Sequence, residues 1–381
     1  MLQAKTTTTR PDDDDIVARL RLIRSRRVGA VTFHRLMAEH GSAEAALKAL
    51  PGIASAAGIE RYEVCPVGVV MAELAKGRAA KATLITHGDP RYPALLAQMP
   101  DAPPVLWVQG DIGLLSRPMI AVVGSRNASS LGLRMAKRLS EGLGAAGQVV
   151  VSGLARGIDA EAHRASLANG TIAVQAGGVD VIYPAENADL AAEIAAKGCR
   201  ISEQPMGAEP QARHFPLRNN IIAGLSRAVV VVEAAARSGS LLTARAALDL
   251  GREVLAVPGH PFDARAAGCN MLIRDGAILV RGTSDVLEVI GGQVGVTPER
   301  VVETLPTHPP LPGPTPAPMP LATASVLHDQ ILSRLGPSPL AEDQLIRDLA
   351  MPAGHITPAL LTLELEGRIE RQHGGLLARI G

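Results

Sequence analysis

Two short loops in this chain carry the residue types that hold phosphate. Gly124-Ser125-Arg126 follows the apolar run Met119 to Val123, and Ser152-Gly153-Leu154-Ala155-Arg156-Gly157 follows Gln148 to Val151. In each loop glycine lets backbone amides approach an anion, serine offers a hydroxyl, and arginine offers a planar fork of donors matched to phosphate oxygens. A structural salt bridge to a neighbouring carboxylate is the plainer alternative for Arg126. A third segment, Arg213-His214-Phe215-Pro216-Leu217-Arg218-Asn219, sets one of only three phenylalanines between two arginines. That composition suits a platform on which a nucleobase stacks while cations hold the flanking phosphates. It suits equally an aromatic ring buried beneath a helix starting near Pro216. Asp159 and His163, four apart on a helix, face one another and have the makings of an acid–base pair. In the other reading Asp159 caps or braces the Arg156 loop and His163 packs beneath it. Glu233 and Ser238-Gly239-Ser240 lie at the end of another strand, where Ser240 suits a helix N-cap.

These residues need a scaffold that brings several strand ends together. Met119 to Val123 is short, apolar and rich in β-branched residues, as expected for a strand covered on both faces of a parallel sheet. Gly132 to Leu143 then places Leu133, Ala136, Leu139 and Leu143 at helical spacing. The alternation continues with strands at Thr171–Gln175, Cys199–Ser202, Ala228–Val232 and Glu253–Val257, and helices at 187–196, 240–250 and 270–274. Thr83–Thr86 and Pro104–Val108 read as strands that precede this core, with Trp107 on a buried face. Alternating elements of this length predict an α/β fold, an extended Rossmann-like doubly wound sheet. In such a sheet, loops after adjacent strands meet at the carboxyl edge, where helix N-termini attract anions.

Other segments flank the core. Residues 1–14, with their threonine and aspartate runs, read as a disordered tail. Residues 15–82 are helical in pattern, and Arg26-Arg27-Val28-Gly29 and Leu50-Pro51-Gly52-Ile53 resemble loose helix-hairpin-helix turns, which can hold DNA phosphates. The sheet domain spans 83–296. Prolines dominate 297–321, the mark of a stiff linker. Residues 322–381 read as a winged helix of three helices and a two-stranded wing. Its third helix, Thr357–Glu366, carries Glu364 and Glu366 and no Lys or Arg, and the module holds five arginines against seven carboxylates. A groove-reading helix needs cations, so protein contact or a structural role is expected of this module rather than DNA.

Composition narrows the function classes. The formal net charge is only +1 over 381 residues, so a nucleic-acid site must gather its cations on one edge. The three cysteines have no C-x-x-C spacing, which argues against structural zinc and suits a reducing compartment. No stretch approaches the length of a membrane span, and a cytoplasmic protein is expected. There is no Walker P-loop, and no G-x-G-x-x-G in the first strand-to-helix turn.

In order along the chain, Val122-Val-Gly-Ser-Arg126, Ser152 to Ala160 with His163, Tyr183-Pro184, Phe215-Pro-Leu-Arg-Asn219, Ile221 to Ser226, Glu233, Ser238-Gly-Ser240 and Val257-Pro-Gly259 resemble the DNA-processing protein A family (DprA, also called Smf). The resemblance covers roughly Leu84 to Val289. It implies a Rossmann-like domain that binds single-stranded DNA and hands it to a RecA-type recombinase. It also implies a homodimer, an N-terminal helical domain of SAM or helix-hairpin-helix type, and no catalytic residue, metal or cofactor. The single-strand site it implies comprises Gly124, Ser125, Arg126, Ser152, Gly153, Arg156, Gly157, Arg213, Phe215, Arg218 and Asn219. One departure stands out: the family usually has a further arginine after Arg218-Asn219, and this chain has Asn220. Two rival readings remain: a nucleotide-phosphate enzyme of phosphoribohydrolase type, and a scaffold that works through its helical and winged modules.

Overall fold

The structure is a computed structural model that describes residues 11–292, 321–335, 340–349, 351, 353–372 and 376–380. The chain forms two compact units, one made of residues 71–297 and the other of 1–70 with 298–381.

The larger unit is the sheet domain. Helix α4 (Val67–Ala79) leads into it, after α1 (Pro11–Arg24), α2 (Ala30–His40) and α3 (Ala43–Ala56) of the other unit. Then follow β1 (Thr83–Thr86), α5 (Ala94–Ala97), β2 (Val105–Gly110), β3 (Met119–Val123), α6 (Ser130–Ala145), β4 (Val149–Ser152), α7 (Ile158–Ser166) and β5 (Thr171–Val174). The remainder is α8 (Ala188–Lys197), β6 (Cys199–Ser202), α9 (His214–Leu225), β7 (Ala228–Val231), α10 (Ser240–Asp249), β8 (Glu253–Ala256), α11 (Ala267–Arg274), β9 (Ile278–Leu279) and α12 (Thr283–Gly292). The strands make one nine-stranded sheet in the order β1-β2-β6-β5-β4-β3-β7-β8-β9. From β6 to β9 all neighbours are parallel, whereas β2 runs antiparallel to both β6 and β1.

Period-two alternation distributes the strand residues between two cores. Ala121, Val123, Val149, Val151, Val229 and Val231 face α9, α10 and α11, which contribute Ile221, Ile222, Leu225, Ala244 and Cys269. Ile120, Val122, Val150, Val230 and Leu255 face the other way, against Ala136, Leu139 and Leu143 of α6, Ile158 and Ala162 of α7 and Val286 and Ile290 of α12. The predicted doubly wound sheet is therefore the observed one. Trp107 is core, 1 % exposed, and its indole N–H donates to Glu73 Oε1 at 2.8 Å. All three cysteines are free and buried, and burial pushes the Cys199 thiol up to about 12 and that of Cys269 to about 11.

In the smaller unit α1, α2 and α3 enclose Leu22, Phe33, Leu36, Leu47 and Leu50. Helix α1 begins at Pro11, so Asp12 to Asp14 belong to a helix and not to the predicted tail; residues 1–10 lie outside the described residues. Proline suits the first helical position, because its φ is preset for a helix. The predicted turn at Leu50-Pro51-Gly52-Ile53 is also corrected, because α3 runs through it. Leu47, Leu50 and Ala54 lie on its buried face, and tertiary burial outweighs the local cost of the proline. The winged module comprises α13 (Leu321–Arg334), β10 (Leu340–Ala341), α14 (Glu342–Leu349), α15 (Ala353–Leu365), β11 (Ile369–Gln372) and β12 (Leu376–Arg379). Its sheet has three strands, since β10 joins the expected pair. Glu364 of α15 lies 3.7 Å from Arg35 of α2 and 3.7 Å from Arg371 of β11, and the Arg27 guanidinium donates to the carbonyl of Leu365. The cation-free helix is thus engaged with protein. Of the predicted linker, 297–321, residues 297–320 lie outside the described residues, and Leu321 is the first residue of α13. Among the described residues no helix is long and apolar enough to cross a membrane.

Candidate nucleic-acid interface

The loops after β3, β4 and β7 meet α9 at the carboxyl edge of the parallel strands, as the topology requires. Arg126 is exposed and has no carboxylate partner among the described residues. Its guanidinium carbon lies 5.6 Å from the centroid of the Phe215 ring, within cation–π range. Phe215 is half-buried, and Tyr183, 51 % exposed, meets it edge-on at 5.9 Å. Arg156 is exposed across the recess and pairs with Glu186 at 3.5 Å. Arg213 is exposed at the start of α9, its Nε 3.4 Å from His214 Nε2. Asn219 is half-buried and donates to Gly239 O at 3.4 Å. A recess of about 290 Å³ is bounded by Arg126, Arg156, Gln175, Tyr183 and Phe215. On the other side of Arg126 and Phe215 lies an open cleft of about 580 Å³ that Asn219, Arg237 and Leu242 also line.

Several groups of the expected nests are engaged within the protein. Ser152 is fully buried and its hydroxyl donates to Val122 O at 2.6 Å, so it has none to offer a ligand. The first amide of α7, Ile158 N, donates to Ser125 O at 3.1 Å, and Ser125 Oγ accepts from Asn127 N at 3.2 Å. At the start of α6, the Glu233 carboxylate accepts from Ser129 N at 3.0 Å and from Ser129 Oγ at 2.6 Å, placing an acid where an anionic ligand was expected. Ser129 is the N-cap of α6, accepting from Gly132 N at 3.0 Å, and Glu233 anchors that cap, a role that spacing in the sequence did not provide. The glycines serve the joint between loops. A Cβ on Gly157, whose φ is +75°, would strike Ser125 O, and one on Gly153 would strike the Arg218 guanidinium. A Cβ on Gly124 would come within 2.7 Å of Ile158.

Arg218 lines both recesses, but from a buried position and not as the exposed cation expected. It is only 6 % exposed, and its Nη1 lies 3.8 Å from Asp159 Oδ2, with the guanidinium carbon 5.9 Å from the Phe215 centroid. Burial draws the Arg218 pKa down and pushes that of Asp159 up, and each partner's charge opposes the other's shift. Asp159 also accepts from Gly153 N at 3.2 Å and Ala155 N at 3.4 Å, so it braces the Arg156 loop. His163 is fully buried, with Nδ1 2.7 Å from Thr171 Oγ1. His163 is closed to a substrate, and Asp159, which lines the open cleft, has its carboxylate held by Arg218 and the Arg156 loop. Ser240 is the first residue of α10, not its cap, and its hydroxyl is 2.8 Å from that of Ser238.

Burial, with the charges of Arg218 and Arg164, lowers the His163 pKa from 6.5 to about 3. The unfolded chain takes up a proton near pH 6.5 that the folded chain refuses until about pH 3, so stability is lost as pH falls through that window. In His163→Gln, the melting temperature followed from neutral pH to about pH 4 should therefore fall less steeply than in wild type. Equal slopes would place the acid sensitivity elsewhere.

Tyr183 and Arg237 are members of this surface that the motif reading did not single out as site residues. The signal for Tyr183 was the scarcity of aromatics, 2 % of the chain, but nothing in local spacing brings it to Phe215.

Comparison with known proteins places the chain. The model described as DNA recombination-mediator protein A matches residues 83–291. Those for a DprA-like N-terminal HHH domain and a DprA winged helix domain match 13–75 and 315–375. The chain is 36% identical over 313 residues to Protein Smf of Synechocystis, covering 76% of this chain and 78% of the relative. To DNA processing protein DprA of Streptococcus pneumoniae it is 46% identical over 201 residues, 52% of this chain and 71% of the relative. The crystal structure of the S. pneumoniae protein superposes with a TM-score of 0.55 at 37% identity, over 69% of this chain and 98% of that one. A structure of DNA processing protein A from Helicobacter pylori, described for its single-stranded DNA binding mode, gives 0.52 at 26% identity over 56% and 97% of the two chains. A helical N-terminal domain, a doubly wound sheet edged by two antiparallel strands and a C-terminal winged helix, matched in that order along the chain, make this chain a member of the DNA-processing protein A (DprA/Smf) family.

Proposed function

We propose that the chain binds single-stranded DNA along the carboxyl edge of its sheet and presents the strand to a RecA-type recombinase, working as a homodimer and without catalysing a reaction. The observation that carries the reading is the exposed Arg126 laid over the half-buried Phe215 ring, with Tyr183 edge-on beside it. A partly exposed aromatic pair beside a cation with no carboxylate partner among the described residues suits a base and its phosphate, and it carries no base-edge code. Arg156 and Arg213 supply further cations around the same ring, while Ser125, Gly124, Gly153, Gly157 and Asn219 hold the loops that display them. The H. pylori relative, with its single-strand binding mode, supports the DNA part of the reading. Family membership alone supports the recombinase and the dimer. The carboxylate of Asp159, held by Arg218 and the Arg156 loop, and the fully buried His163 support a binder over the phosphoribohydrolase reading.

Anisotropy titrations with oligo-dT and with duplex DNA test it. The single strand should bind more tightly, with little dependence on base, and log affinity should fall with log salt at about −0.7 per phosphate contacted. Equal affinity for duplex would overturn the reading.

A further inference from the structure

We infer that Phe262, with His260, forms a second base-stacking station, placed after β8 on the same sheet edge as Phe215. The inference rests on the single-strand reading above and extends the path of the DNA. Of the three phenylalanines, Phe33 is core and Phe215 half-buried, whereas Phe262 is 94% exposed. Full exposure of so large an apolar ring gains nothing for the fold, and a lone ring on a loose loop would need no explanation. This ring is not on a loose loop. Gly259 N donates to Asn270 Oδ1 at 3.1 Å, and Asn270 Nδ2 returns a bond to Gly259 O at 3.0 Å. Asp263 N donates to His260 O at 2.9 Å, and Phe262 N to His260 Nδ1 at 3.3 Å. Asp263 grips the Arg265 guanidinium with both oxygens, at 3.1 and 3.0 Å. The turn is thus built to hold its apolar ring outward, and the exposed His260 ring stands 5.6 Å from it at an interplanar angle of 38°.

Position joins this turn to the site. β7 and β8 are parallel neighbours, so the loops that follow them emerge side by side. The start of α11 is pinned to the β7 loop by Gly268 N, which donates to Ala234 O at 2.7 Å. Three residues further along that loop, Arg237 lines the cleft shared with Arg126 and Phe215, is exposed, and makes no ion pair among the described residues. The order along the edge is therefore ring, cation, cation, ring: Phe215, Arg126, Arg237, Phe262. Cations set between two rings suit the phosphates of a strand that run between stacked bases, and a path along them follows successive strand ends.

The test uses the full chain with oligo-dT of about four and about sixteen nucleotides, spanning common single-strand site sizes. Phe262→Ala should weaken binding of the longer oligonucleotide by about tenfold, leave the shorter one unchanged, and preserve the salt slope because no charge is lost. Phe262→Tyr should restore the longer one. Phe262→Trp adds an exposed indole to a chain whose only other tryptophan is buried, so its emission should be quenched by the longer oligonucleotide and not by the shorter. If wild type binds single strands and Phe262→Ala binds both lengths as wild type does, the second station is wrong and the first stands. If Phe262→Ala instead alters only the sedimentation of the free protein, the ring is a contact between copies. No single-strand binding by wild type would remove both readings.

Discussion

Arg218→Ala should destabilise the sheet domain by about 3–5 kcal/mol, the usual cost of removing one partner from a buried ion pair. The substitution leaves the Asp159 carboxylate buried with only the Gly153 and Ala155 amides against it, and it opens a void beside Gly153, which has no side chain because the guanidinium occupies that space. A domain of this size loses roughly 2–4 °C of melting temperature per kcal/mol. Scanning calorimetry should therefore show a drop of roughly 6–20 °C, with DNA binding lost as a consequence of the disturbed Arg156 loop. Replacing both partners, Arg218→Met with Asp159→Leu, should recover much of the loss, because an apolar pair has no desolvation to offset. A wild-type melting temperature in Arg218→Ala, coupled to a flatter salt dependence of binding, would show instead that the guanidinium swings out to meet phosphate.

Arg126→Ala is expected to act in the opposite manner, with a stable fold and poor binding. The side chain is exposed, spans no ion pair among the described residues and rests on a ring that other contacts hold in place. Loss of one charge-assisted contact is worth roughly 1.5–3 kcal/mol, or about tenfold to a hundredfold in affinity for a single strand. The salt slope should shrink by about 0.7, one phosphate's share. Arg156→Ala should cost less, because Arg156 must first leave Glu186, and that exposed pair is itself worth little. Equal losses for the two variants, measured by anisotropy at two salt concentrations, would contradict the asymmetry of the site. A fall in the melting temperature of Arg126→Ala would make the residue structural.

The sequence by itself determined the class of fold and the neighbourhood of the site. Strands such as Met119–Val123 and Val149–Ser152 are short β-branched runs bounded by glycine, and α6 shows its apolar stripe at Ala136, Leu139 and Leu143, so local periodicity was enough to place them. Alternating elements then require right-handed crossovers and gather the strand-end loops on one edge, which is why Arg126 and Phe215 were legible together. Only the tertiary structure decided which groups on that edge remain free. Ser152 spends its hydroxyl on Val122, Glu233 anchors the cap residue of a helix more than a hundred residues before it, and Arg218 turns inward to Asp159. Those choices depend on partners distant in sequence, whose approach is set by glycines that admit a neighbouring loop rather than a ligand. Pairing of β2 with β6, passage of α3 through Pro51 and the meeting of Tyr183 with Phe215 have the same cause: each is settled by burial against residues that no local pattern names.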